Sequence, residues 1–145
     1  MARKTEFIIV IDSREQLPYA FERSVVRALK AGDYSVLGME TRIAVERKSK
    51  ADAYGTIGKG RRRFVRELER MGTYEYAAIV IECTLSSFLR PPNRSSLNPR
   101  SAINSLIAWS IRYGVHLFFA DSRELARGLT YRILEKFHNE NRADR

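Results

Sequence analysis

Apolar residues fall into short runs in the first third of the chain and into helix-spaced stripes after it. Residues 7–11, Phe-Ile-Ile-Val-Ile, form a continuous, largely β-branched run, the pattern of a central strand buried on both faces. The run ends in Asp12-Ser13-Arg14-Glu15, so charge emerges at the strand's C-terminal end. Residues 16–23, with Leu17-Pro18, read as loop. Residues 24–29 fit strand or helix; strand is the expectation, because Val25-Val26 is β-branched and Gly32 closes the run. Residues 34–37 and 42–47 predict a hairpin around Gly38-Met39-Glu40-Thr41.

The helices are read from caps and period. Ser49 is the expected N-cap of a helix over 49–57, with Asp52 at the third position of a capping box. Gly58-Lys59-Gly60 interrupts. A second helix over 61–71 turns Phe64, Val65, Leu68 and Met71 inward and stops at Gly72. Residues 76–83 predict a buried strand, 84–90 a short helix and 91–96 a polar loop. Asn98-Pro99 is an N-cap followed by proline at the first helical position. That helix runs to Tyr113 with Ile103, Leu106, Ile107 and Ile111 expected inward, and Gly114 ends it. Residues 115–120 are the last strand. Asp121 or Ser122 caps a final helix with Leu125, Leu129, Ile133, Leu134 and Phe137 as its stripe, and the polar tail from Asn139 is expected to fray. Strands followed by alternating strands and helices predict an α/β fold, a mixed central sheet flanked by helices on both faces.

The 145 residues suit one domain over 1–145 with a proper core, and no internal repeat breaks them. The longest apolar runs, 7–11 and 77–81, are five residues each, too short to span a membrane. Arg3 and Lys4 are followed by Glu6 and a short apolar run, which is not a signal peptide. The single Cys83 excludes a disulfide framework within the chain and any multi-cysteine zinc site. A reducing, intracellular setting is expected, cytoplasmic or nucleoid-associated.

Charge changes the picture. Lys plus Arg is 26 against 17 acids, a net charge of +9 that favours a polyanionic partner, most simply nucleic acid. Arg61, Arg62, Arg63, Arg66 and Arg70 cluster on one segment, while Arg90, Arg94 and Arg100 fall around a second. Arg61, Arg62, Arg63 and Arg66, beside Phe64, are the best phosphate-binding candidate.

The hairpin supplies the candidate chemistry. A turn centred on Met39-Glu40 sets Asp33 opposite Glu46; one centred on Gly38-Met39 makes them diagonal neighbours. Either way two carboxylates lie within about 4.5–8 Å on one sheet face. Strand parity adds Lys48 to that face and turns Arg47 away. Hard oxygen ligands so placed suit magnesium or manganese, and the charge is costly unless paired or holding a metal. A surface ion pair on an exposed hairpin is the competing reading.

Gly32-Asp33-Tyr34 followed by Val45-Glu46-Arg47-Lys48-Ser49-Lys50-Ala51-Asp52 resembles the signature of XPF-type structure-selective endonucleases, GD then ERK, three residues and D. It is similar to the wider PD-(D/E)xK nuclease superfamily. Asp12-Ser13-Arg14-Glu15, Arg62-Arg63-Phe64, Ile79-Val80-Ile81-Glu82 and Asn98-Pro99-Arg100-Ser101-Ala102-Ile103 resemble further family segments. The resemblance implies a restriction-endonuclease-like nuclease fold and a Mg2+-dependent DNA endonuclease, with Mn2+ as a substitute, acting on flaps, forks or Holliday-type junctions in repair or recombination. It implies a metal held by Asp33 and Glu46, assisted by Asp12. Lys48 would handle the attacking water, and Asp52 would be a further functional acid. Arg47 and Arg62 would engage the scissile and neighbouring phosphates, and Arg14, Arg61, Arg63 and Arg66 stand beside them as DNA-contact candidates on charge and position alone. It also implies homodimers and leaves room for a helicase or clamp partner. No helicase or helix-hairpin-helix domain is expected within the chain. The alternatives are a non-catalytic DNA-binding or scaffolding subunit, and a sequence-specific cleaver of the same superfamily.

Overall fold

The computed structural model describes residues 6–142. Along them run β1 (Ile9–Asp12), β2 (Ser24–Arg27), β3 (Tyr34–Val36), β4 (Ile43–Lys48), α1 (Lys50–Ile57), α2 (Arg61–Met71), β5 (Tyr76–Ile81), α3 (Leu85–Phe88), α4 (Pro99–Tyr113), β6 (His116–Phe119) and α5 (Arg123–Asn141). The strands form one six-stranded sheet in the order β2-β1-β3-β4-β5-β6. β1 and β2 are parallel, β3 is antiparallel to both β1 and β4, and β4, β5 and β6 are parallel. The architecture is the expected mixed sheet with helices on both faces.

Alternation along β4 shows how the faces divide. Ala44 packs with Tyr54, Leu68, Leu106 and Trp109 from α1, α2 and α4. Ile43 and Val45 pack on the other side with Ala126 and Leu134 from α5. Each fully buried aliphatic side chain contributes about 1.5–3 kcal/mol, so these two clusters supply the main stabilising term. Parity then carries Glu46 and Lys48 onto the α1/α2 side and Arg47 onto the α5 side.

Caps form where their residues stand. Ser49 accepts from the Asp52 N–H at 3.1 Å, Asn98 accepts from the N–H groups of Arg100 and Ser101, and Ser122 accepts from that of Leu125. Gly114 ends α4 in the left-handed region, φ 67°.

Several expectations need correction. β1 begins two residues late because Phe7 leaves the sheet to pack against Tyr131 and His138, and it ends late because Asp12 pairs with Arg27. β2 stops at Arg27 and lies on the sheet edge with Val26 exposed. On α4 the inward stripe is Ala102, Leu106 and Trp109, while Ile107 is 45% and Ile111 80% exposed. Trp109 decides that phase, because it packs on Phe64 at 5.7 Å between ring centroids. On α5 Leu125 is exposed, and the buried stripe is Ala126, Thr130, Leu134 and His138. The tail expected to fray from Asn139 is helical to Asn141, and residues 143–145 lie outside the described part. No helix among the described residues is long and apolar enough to cross a membrane.

Candidate active site

The sheet register brings the hairpin acids together. Tyr34 pairs with Val45, the register in which Asp33 falls opposite Glu46. The ladder opens just beyond that pair. The Asp33 N–H donates to the Val45 carbonyl at 2.9 Å, its carbonyl accepts from the Asp12 N–H at 2.8 Å, and its Oδ2 accepts from the Arg47 N–H at 2.8 Å. Gly32 makes the turn into Asp33 with φ 76°, and a Cβ there would lie 3.0 Å from the Ala44 Cβ. Only glycine meets both demands.

Lys48 completes the face. Its Nζ lies 3.5 Å from Glu46 Oε2, donates to Thr56 Oγ1 at 2.9 Å and sits 4.9 Å from the centroid of the Phe64 ring. α1 and α2 therefore hold the ammonium that β4 presents. Asp33, Glu46 and Lys48 line a cavity of about 900 Å³ together with Asp12, Arg14 and Asp52. Arg62, Arg63, Arg66 and Glu67 close it from α2.

Burial sets the electrostatics. It pushes the Asp33 carboxyl up to about 7; the Arg47 N–H bond and the Lys48 charge oppose the shift, and the Glu15 charge adds to it. Burial likewise lifts Glu46 well above the usual carboxylate range, reinforced by the Asp33 charge and opposed by Lys48. Two desolvated carboxylates facing one space gain from a hard cation, which relieves both penalties at once.

Not every expected residue joins them. Asp12 Oδ1 accepts from the Leu29 N–H at 2.8 Å, and Arg14 Nε donates to Oδ2 at 3.0 Å. Both oxygens are thus engaged. Among the described residues no group of three His, Cys, Asp or Glu is arranged to hold a metal ion. Asp12 thus lines the cavity while its carboxylate holds the strand end and Arg14. Asp52 is exposed at the cavity wall, and only the Ser49 half of its capping box forms. Arg61 turns away, with its guanidinium 4.8 Å from the Trp109 ring centroid and 3.2 Å from Ser105 Oγ. Arg47, expected to reach DNA, is buried on the far face between Glu15 and Glu82.

The sequence profile of the ERCC4 domain matches residues 11–133, a span that includes every residue lining the cavity. The chain belongs to the ERCC4 domain family. A comparison with curated protein sequences gives no match. Among solved structures, an XPF from Aeropyrum pernix is similar with a TM-score of 0.66 at 22% identity. That match covers 90% of this chain and 59% of the other. XPF from Aeropyrum pernix in complex with DNA is similar with a TM-score of 0.72 at 20% identity, covering 94% of this chain and 67% of the other. At these identities the likeness carries the fold. The ERCC4 domain thus spans little more than half the length of the first of these XPF chains.

Within the ERCC4 domain the cavity also holds residues that sequence reasoning missed. Glu67 Oε1 accepts from the Gly32 N–H at 2.6 Å, which ties the glycine turn to α2, and its other oxygen pairs with Arg70. Thr56 holds Lys48, and Lys59 lines the wall from the glycine break after α1. The available signal for Glu67 was its place one helical turn after Arg63, on the same face of α2. The donor set of this ERCC4 domain, two desolvated carboxylates beside an ammonium, fits a small hard divalent cation held by Asp33 and Glu46.

Proposed function

We propose that this ERCC4 domain is a Mg2+-dependent DNA endonuclease that cuts phosphodiester bonds at branched DNA, such as flaps, forks or Holliday-type junctions, in repair or recombination. The observation that carries the reading is the meeting of Asp33, Glu46 and Lys48 on one face of a cavity walled by the α2 arginines. Asp33 and Glu46, assisted by Asp12, would hold Mg2+, with Mn2+ as a substitute. When bound, the cation supplies Lewis-acid stabilisation of phosphate oxyanions. Lys48, fixed by Thr56, offers its ammonium to the charge that develops on the scissile phosphate. Arg14, Arg62, Arg63 and Arg66, all exposed at the cavity, neutralise neighbouring phosphates. Asp52 adds a carboxylate at the rim.

The branched substrate and the role in repair or recombination rest on the GD…ERK-x-x-x-D resemblance. The domain over 1–145 acts as a homodimer in the cytoplasm or on the nucleoid, and a helicase or clamp could be recruited to it. The test is cleavage of labelled forked and plain duplex DNA by the purified protein, with Mg2+ or with chelator, beside Asp33→Asn. We expect fork cutting that needs Mg2+ and is lost in the variant. Cleavage in chelator, or cleavage that survives the substitution, would sink the reading. Equal cutting of both DNAs would remove its structure-selective part.

A further inference from the structure

The face of β4 away from the cavity carries a set of paired charges, buried at Arg47, Glu15 and Glu82 and open to solvent at Arg123. The Arg47 side chain is 8% exposed. Its Nε donates to Glu15 Oε2 at 3.1 Å and its Nη1 to Glu82 Oε1 at 2.8 Å. The other Glu82 oxygen accepts from the Tyr19 hydroxyl at 2.5 Å and from Arg123 Nη1 at 3.2 Å. Arg123 also donates to the Leu17 carbonyl at 2.6 Å, and its guanidinium lies 4.8 Å from the Tyr19 ring centroid. The Tyr34 hydroxyl accepts from the Tyr19 N–H at 2.8 Å and donates to Glu15 at 3.3 Å. The ring of contacts joins β3, β4, the end of β5, the start of α5 and the 13–23 connection.

Such a network is an expensive way to stabilise a fold, since apolar residues of similar volume do as well or better. What it does supply is geometry, because a guanidinium fork bound at two edges cannot rotate. Arg47 stands between Glu46 and Lys48, and its own N–H holds Asp33. Fixing its side chain fixes the strand end that aims all three. The 13–23 connection bears Arg14, crosses between two parallel strands without a helix, and is pinned by Tyr19 and Arg123.

We propose that Arg47, Glu15, Glu82, Tyr19 and Arg123 are positioning residues, a lock on the far face of the sheet that sets Asp33, Glu46 and Lys48, and that Arg47 does not touch DNA. The proposal rests on the nuclease reading for its effect on turnover, and on the fold alone for its effect on the strand end.

Two variants test it. In Tyr19→Phe, measured well below its melting temperature, kcat on forked DNA should fall about 10-fold with KM unchanged, the usual size of an outer-shell effect. The Arg47 amide, bound by Asp33, should exchange its hydrogen faster, while α4 amides keep wild-type rates. A combined Arg47→Met, Glu15→Gln, Glu82→Gln variant removes the arginine without stranding buried charge. Its affinity for a fluorescent duplex in chelator should keep the wild-type salt slope, whereas a lost phosphate contact would reduce the slope by about one. A reduced slope would overturn the proposal. So would wild-type kcat and wild-type Arg47 exchange in Tyr19→Phe. If the wild-type protein does not cleave at all, the nuclease reading falls, and the exchange and slope measurements still decide the lock.

Discussion

A carboxylate buried beside another carboxylate holds its proton, and this makes Asp33 a source of pH-dependent instability when no cation is present. Its folded-state pKa, about 7, lies above the ordinary 3.8. The stability it contributes is therefore complete below pH 3.8 and is lost as pH rises through 7. Asp33→Asn should raise metal-free stability at pH 8 by up to about 4 kcal/mol, at about 1.4 kcal/mol per pKa unit, with the difference vanishing near pH 4. Thermal melts in chelator across that range check it, and a difference that does not change with pH would contradict it. The acids behind this prediction were legible in the sequence because hairpin register and strand parity are local rules. The partners of Arg47 were not. Glu15, Tyr19, Glu82 and Arg123 arrive from separated segments, and no local spacing announces that they meet. Glu67 was hidden differently, as one more charge in an arginine-rich helix.

At the scale of elements, α2 is the wall between chemistry and core. Its inner face, Phe64, Leu68 and Met71, follows the 3.6-residue period and was readable. Its outer arginines divide in a way that only packing reveals, because Trp109 draws Arg61 off the cavity. Alanine at Arg62 or Arg63 should lower the salt slope of DNA binding by about one each. Alanine at Arg61 should leave it unchanged, and a drop there would return Arg61 to the phosphate set. The end of α2 passes close to the end of α4. A Cβ on Gly72 would lie 2.7 Å from the Tyr113 carbonyl oxygen and 3.2 Å from that of Leu68. Gly72→Ala should cost about 1–3 kcal/mol, the usual range for overpacking, read from urea midpoints. An unshifted midpoint would mean the two helix ends part freely. The same α4 shows why element phase is harder to read than element existence. Its apolar residues form two adjacent stripes, and periodicity alone does not say which one meets the sheet.

Over the whole molecule, the second stripe stays uncovered. Ile107 and Ile111 on α4 and Leu125 on α5 are exposed. Apolar surface of this kind is consistent with the proposed homodimer. Sedimentation should give a dimer for the wild type and a monomer for Ile111→Asp, and a monomeric wild type would remove the dimer from the functional scheme.

The alternation along β4 also bears on how the chain avoids folding wrongly. A shift of β4 by one residue against its neighbours would exchange the two faces. Arg47 would then enter the cavity and leave Glu15 and Glu82 facing each other in the core. Glu46 and Lys48 would move to the α5 side, away from Thr56 and the cavity they now line. Neighbouring positions thus carry different demands, and a one-residue mispairing separates each charge from its native partners. The run of charge that ends β4 doubles as a proofreading device for strand alignment, at work before any substrate arrives.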